Sequence, residues 1–220
     1  MRAIRKEREP PELTQYRALP DAVYDGPNFT KVKERIRQTL LMEQGGLCAY
    51  CMSRIKAGDM KIEHWHSQSR HSTEQLRYRN LLACCMGNEG EPKDKQHCDT
   101  HKGEDDISFN PTDPADHPRL RIRYLGDGTI RSDDGQFNDE INQILNLNHK
   151  KGQTRSRLEN NRASVYNSVV EGLSKRAGSR SRREVQKLLD KWNRRDEEGR
   201  LKEFCGVAVY YLEKRLKKAK

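Results

Sequence analysis

Five of the six cysteines lie between residues 48 and 102, in a chain with little else to build a core from. Cys48-Ala-Tyr-Cys51 opens the stretch, Ile62-Glu63-His64-Trp65 and Asn80-Leu81-Leu82 follow, and Cys84-Cys85 and His97-Cys98-Asp99-Thr100-His101-Lys102 close it. Hydrophobic residues make up 33% of the 220 positions and charged residues 35%. So apolar-poor a chain needs a staple or a partner to close a small domain.

The compartment decides what kind of staple. No run of about 18 apolar residues exists, so no membrane span is expected. The opening Met1-Arg-Ala-Ile-Arg-Lys-Glu7 lacks the apolar stretch of a signal peptide. The expectation is a cytoplasmic protein, where clustered cysteines serve as metal ligands rather than disulfides. Cys48-x-x-Cys51 is a knuckle on which two thiolates share a tetrahedral zinc. Cys98 and either Cys85 or Cys84 supply the second pair if the loop between them folds back. A thioredoxin-like redox pair is the competing use of CxxC, but no βαβ pattern surrounds it. Cys205, among Phe204, Val207 and Ala208, reads as a buried small hydrophobe.

The acid–histidine pair carries the candidate chemistry. Hydrolysing a phosphodiester needs a base to activate water and a cation to offset charge at phosphorus. Neighbouring residues at a strand end divide those tasks, with His64 as base and Glu63 reaching a divalent metal such as Mg²⁺ or Mn²⁺. His66 is an alternative base. Asn80 hydrogen-bonds backbone to brace the loop, although a turn residue there predicts the same local geometry. On a helix starting near Cys98, Asp99 and Lys102 lie three apart and His101 points elsewhere. A second ligand to the catalytic cation comes from Asp99 or His101, with His97 as a third candidate.

Around this stretch the patterning is mostly helical. Pro10-Pro11, Pro20 and Pro27 suggest an extended N-terminal arm. Val32, Ile36 and Leu40 form a helix face that Gly45-Gly46 ends. Gly58-Asp59 between residues 53–55 and 60–62 predicts a short hairpin. Gly126-Asp127-Gly128 predicts another, between residues 120–124 and 129–131. Residues 86–96 read as an irregular loop. Beyond Gly135, four apolar faces follow, centred on Phe137 to Leu145, Leu158 to Leu173, Val185 to Trp192 and Phe204 to Leu216, with Gly178-Ser179 and Glu198-Gly199 as separators of the last three. Of the net charge of +10, residues 150–220 hold 21 Lys and Arg against 9 Asp and Glu, while 1–149 hold 22 against 24. A polyanion-binding surface would therefore lean on the C-terminal third; solvated helix faces of the same charge are the plainer explanation.

Taken together, CxxC, Glu-His, Asn-Leu, Cys and a terminal Cys-x-x-x-Lys resemble the HNH, or ββα-metal, nuclease family over residues 48–102. Asp99 stands where His or Asn is usual, and 12 residues separate Cys85 from Cys98, where most members have a short spacer. The family's spacing implies Cys85 rather than Cys84, five residues after Asn80, as the zinc ligand. A narrower resemblance, to the PtuB proteins, rests on Met1-Arg-Ala-Ile-Arg-Lys, Glu43-Gln-Gly-Gly-Leu-Cys-Ala-Tyr-Cys51, Asn80-Leu-Leu-Ala, His97-Cys-Asp, Asn110-Pro-Thr-Asp-Pro114 and Leu145-Asn-Leu-Asn148. Those are HNH nucleases of Septu and retron-associated antiphage systems, encoded beside the ATPase PtuA. The resemblance implies a nucleic-acid target, DNA or RNA, and a PtuA-like ATPase partner. With no GxxxxGK[ST] loop in this chain, ATP dependence would come from that partner.

The expected protein is α+β and mostly helical. An N-terminal arm and helix (1–47) precede a zinc-stapled ββα-metal HNH core (48–115), and a hairpin with basic helices (116–220) follows. Its expected activity is metal-dependent endonuclease cleavage, with Cys48, Cys51, Cys85 and Cys98 on structural Zn²⁺ and Glu63, His64, Asn80, Asp99 and His101 as the catalytic set. The competing class is a non-catalytic zinc module that binds nucleic acid or docks an ATPase.

Overall fold

A computed structural model describes residues 1–116, 122–148, 155–174 and 181–218. The architecture is mixed α and β. Helices α1 (Pro11–Arg17) and α2 (Phe29–Gln44) lead into strands β1 (Lys61–His64) and β2 (Leu81–Cys84), then the short helix α3 (Cys98–Lys102). Strands β3 (Ile122–Tyr124) and β4 (Ile130–Ser132) form a second hairpin. Helix α4 (Gly135–Asp139) runs on into a π-helical turn at Glu140–Ile144. Helices α5 (Arg157–Ser174), α6 (Arg182–Asn193) and α7 (Cys205–Lys218) complete the described chain.

The strand carrying Glu63 and His64 finds a different partner from the expected one. β1 pairs antiparallel with β2, placing Glu63 opposite Leu82 and His64 opposite Leu81. Residues 53–60 keep only isolated bridges, Lys56 with Asp59 and Leu47 with Arg54. The reason is burial: β2 is buried at all four positions, so pairing with it covers more apolar surface than a local hairpin would. The N-terminal arm is also not wholly extended. Pro11 sits at the first helical position of α1, where a missing N–H costs nothing, and Leu13 and Tyr16 point into the core. The second hairpin forms at β3 and β4; its expected residues 120 and 121, and the separator Gly178-Ser179, lie outside the described residues.

Two glycines fix how the chain reaches the metal-ligating segment. Gly45 caps α2 in the left-handed region (φ 63°), its N–H turned back to the carbonyls of Leu41 and Met42. Gly87, at φ 56°, lies so close to His97 that a Cβ would come within 2.2 Å of its carbonyl oxygen. That contact, with the His97 N–H donating to the Gly87 carbonyl at 3.0 Å, closes the residue 88–96 loop on itself. Cys85 and Cys98 are thereby brought together despite their separation in sequence.

One apolar cluster runs from Ile4 and Leu13 through Ile36, Leu40, Leu81 and Phe109 to Phe137, Leu158 and Val207. Burying a large aliphatic or aromatic side chain contributes roughly 1.5–3 kcal/mol, and this cluster backs the β1–β2–α3 unit. A smaller cluster of Val169, Leu173, Val185, Leu189, Leu212 and Leu216 joins α5, α6 and α7. Among the described residues, no helix is long and apolar enough to cross a membrane.

Candidate metal and catalytic site

The four expected zinc ligands converge. The Sγ atoms of Cys48, Cys51, Cys85 and Cys98 all lie within 4.8 Å of one another, with Cys48–Cys98 at 3.8 Å and Cys51–Cys85 at 3.7 Å. A tetrahedral zinc with bonds of ~2.3 Å requires sulfur–sulfur edges of about 3.8 Å. The Ser53 N–H points at Cys51 Sγ from 3.4 Å, as a knuckle backbone does toward a thiolate. All six cysteines are free thiols. Burial raises the Cys48 thiol, but hydrogen bonds from Cys51, Cys84, Cys85 and Cys98 outweigh it and hold Cys48 well below its ordinary value. The donor set and its spacing fit zinc. Cys84 is buried and falls outside this quartet, as does Cys205. His97, a candidate for the catalytic cation, sits at the thiols instead, its Nδ1 3.2 Å from Cys98 Sγ and 3.9 Å from Cys85 Sγ.

Glu63 and His64 leave the end of β1 in different directions, because successive strand residues face opposite ways. Glu63 turns toward the knuckle and α3. Its Oε1 accepts from the Tyr50 hydroxyl at 2.9 Å and lies 2.9 Å from Lys102 Nζ. Burial raises the Glu63 carboxyl well above the carboxylate range; the hydrogen bond and charge of Asp99 push the same way, and Lys102 opposes them. Buried Glu63 and half-buried Asp99 thus form a carboxyl pair whose hard oxygens suit Mg²⁺ or Mn²⁺ better than a soft metal.

His64 turns the other way. Its Nε2 lies 2.9 Å from the Gln75 carbonyl. A carbonyl only accepts, so Nε2 carries the proton and Nδ1 keeps its lone pair. The Tyr24 ring packs edge-on against the imidazole, centroids 4.5 Å apart. Burial lowers the His64 pKa below 6.5, against the pull of the Gln75 bond and the Asp99 charge. The Asp99 charge acts on both residues, raising the Glu63 carboxyl and opposing the effect of burial on His64.

Asn80 lies one loop away and touches neither residue's side chain. Its Oδ1 accepts from the His66 N–H at 2.8 Å, and its Nδ2 donates to the carbonyls of His66 (3.0 Å) and Glu74 (3.3 Å). It ties together the two ends of the loop that carries Gln75. His66 stacks between Trp65 and His71 and engages Glu74 through Nδ1 at 2.8 Å. His101 is held away from Glu63, its Nδ1 against the Ile144 carbonyl of the π turn at 2.8 Å.

The Lys102 side chain is fully buried, paired with Glu63 and donating to the His64 carbonyl at 3.2 Å. Tyr50, Tyr24 and Gln75 went unnoticed. Tyr50 carries a signal in its place inside the CxxC knuckle; Gln75 and Tyr24, remote in sequence, carry none.

No family model matches the chain. Over 114 residues it is 26% identical to a protein of Vibrio cholerae serotype O1 biovar El Tor named "Retron Vc95 putative HNH endonuclease". The match covers 48% of this chain and 54% of that protein, so the chain spans about half the length of the relative it matches.

Proposed function

We propose that this chain is a metal-dependent HNH endonuclease whose ββα-metal core is β1, β2 and α3. The observation that carries the reading is that Asp99 of α3 hydrogen-bonds Glu63 of β1 and its charge reaches His64, in a segment whose four thiols have zinc geometry. A divalent cation, Mg²⁺ or Mn²⁺, bound there would offset charge developing at phosphorus and on the leaving oxygen.

The protein's own groups divide the remaining work. His64 Nδ1 takes a proton from the attacking water while the Gln75 carbonyl holds Nε2–H and favours the resulting imidazolium. Water oxygen bonds to phosphorus, and the bond to the leaving oxygen breaks. Glu63 and Asp99 would hold the cation; the tether of His101 to Ile144 favours Asp99 over His101. Asn80 braces the loop that delivers Gln75. Zn²⁺ on Cys48, Cys51, Cys85 and Cys98 is structural.

The likeness to a retron protein and the PtuB-like motifs support a role as effector nuclease of a bacterial antiphage system, in the cytoplasm, beside a PtuA-like ATPase. In that role residues 1–47 form an arm and helix, 48–115 the nuclease core and 116–220 a hairpin with basic helices. Those helices would contact phosphates of DNA or RNA without reading sequence, so binding should weaken steeply with salt.

The test is cleavage of DNA and structured RNA with Mg²⁺, Mn²⁺ or EDTA, with and without the ATPase, beside His64→Ala. Metal-dependent cutting lost in a mutant that keeps its zinc supports the reading. Cutting that survives His64→Ala removes His64 as the base. One observation favours a non-catalytic zinc module: Glu63 Oε1 already has two protein partners and the His64 ring is buried. Zinc-loaded, folded protein that binds the ATPase or nucleic acid and never cuts would establish that module.

A further inference from the structure

Tyr50 stands inside the cysteine knuckle and reaches out of it to Glu63. The backbone on either side is pinned: Cys48 and Cys51 belong to the thiol quartet, and the Ala49 N–H donates to the Ala83 carbonyl of β2 at 2.9 Å. The side chain is fully buried, and its hydroxyl donates to Glu63 Oε1 at 2.9 Å. A phenol hydroxyl can donate and a carboxylate oxygen accepts, which fixes the direction of this bond. A phenylalanine would fill the same space; among the described residues the hydroxyl's hydrogen bond goes to Glu63.

We infer that Tyr50 is a positioning residue: through it the zinc knuckle holds one oxygen of Glu63 and so orients the carboxylate toward a divalent cation shared with Asp99. The inference rests on the proposed role of Glu63 and Asp99 as cation ligands. Its consequence is coupling between two metals. Zinc orders the knuckle, the knuckle orders Tyr50, and Tyr50 fixes Glu63. Because coupling between two bound ligands is reciprocal, a cation at Glu63 also steadies the zinc. Groups that orient a metal ligand typically change affinity 10–100-fold when lost.

The experiment measures Mn²⁺ binding by electron paramagnetic resonance in zinc-loaded wild type, Tyr50→Phe and Glu63→Gln. Tyr50→Phe is expected to keep its zinc content and bind Mn²⁺ about 10-fold or more weakly, and Glu63→Gln to lose binding. If Glu63→Gln loses binding and Tyr50→Phe does not, the inference is overturned and the cation site stands. If wild type fails to bind Mn²⁺, or Glu63→Gln binds it as wild type does, the cation site falls and the inference with it. A second measurement needs no variant: the rate at which a thiol reagent ejects zinc from wild type should fall severalfold when Mn²⁺ is added. An unchanged ejection rate overturns the coupling, even if Tyr50→Phe does not fold.

Discussion

Lys102 Nζ lies 2.9 Å from Glu63 Oε1, and the two side chains are 0% and 3% exposed. The ammonium is the resident cation of a site that also holds the Asp99 carboxyl. Removing one partner of a buried pair strands the other, at a cost of ~3–5 kcal/mol. Lys102→Met should therefore destabilise the protein by about that much without divalent metal. Mn²⁺ should restore more stability to this variant than to wild type, because the added cation replaces the lost one. Thermal unfolding with EDTA and with Mn²⁺ checks this; equal Mn²⁺ effects on both proteins would mean that the cation does not take the place of the Lys102 ammonium.

The thiol quartet makes a sharper forecast about adjacent cysteines. Cys85→Ser should lose zinc and most of the folded population, since it removes one of the four thiolates of the site. Cys84→Ser and Cys205→Ser should keep one zinc per chain, with at most ~1–3 kcal/mol of destabilisation from a buried hydroxyl. Atomic absorption on the three purified variants separates them. Zinc retained in Cys85→Ser and lost in Cys84→Ser would exchange the two assignments.

Asn80 supplies three hydrogen bonds to the loop between β1 and β2 and none to a candidate reacting group. Asn80→Ala leaves the His66 N–H and two carbonyls without their partner, costing ~1–3 kcal/mol for each group that water does not reach. If the assigned nuclease reading holds, kcat should fall, because the Gln75 carbonyl that orients His64 rides on this loop. Hydrogen exchange at residues 66–75 should quicken together with the loss of rate. An active Asn80→Ala with a loosened loop would separate Asn80 from the chemistry.

How much of this was readable beforehand depends on the range of the interaction. The convergence of thiols was legible because CxxC spacing is local and a tetrahedral metal needs two further ligands; the choice of Cys85 over Cys84 came only from the family's spacing. The placement of Asp99 and Lys102 together on α3 was legible from helical period. What Lys102 faces was not, since that depends on β1 choosing β2, a pairing across residues 65–80 that the nearby Gly58-Asp59 turn argued against. The same limit hid Gln75 and Tyr24, which reach His64 only through the tertiary fold. By proximity in sequence His101 ranked with Asp99, and His97 behind them; the π turn at Glu140–Ile144 and the thiols draw the two histidines elsewhere.

Lys6 anchors the N-terminal stretch to β2 and should leave a signature in the alkaline stability curve. Its Nζ donates to the Leu81 carbonyl at 2.9 Å, lies 3.2 Å from Glu43 Oε2 and sits 3.8 Å above the Tyr78 ring. Burial lowers its pKa from 10.5 to about 8, with the Glu43 charge and hydrogen bond opposing. Between those two values the unfolded chain holds a proton there that the folded chain has released. Stability contributed by this group therefore rises with pH across that window, by up to roughly 3 kcal/mol. Below the folded value the cost of burying the charge is present in full. Lys6→Met removes this dependence, so the stability difference between wild type and variant, measured by urea unfolding, should shift in favour of wild type from pH 8 to pH 10.5. Comparing the two proteins cancels the other lysines and tyrosines that titrate there, and a difference flat in pH would mean that Lys6 keeps an ordinary pKa on β2.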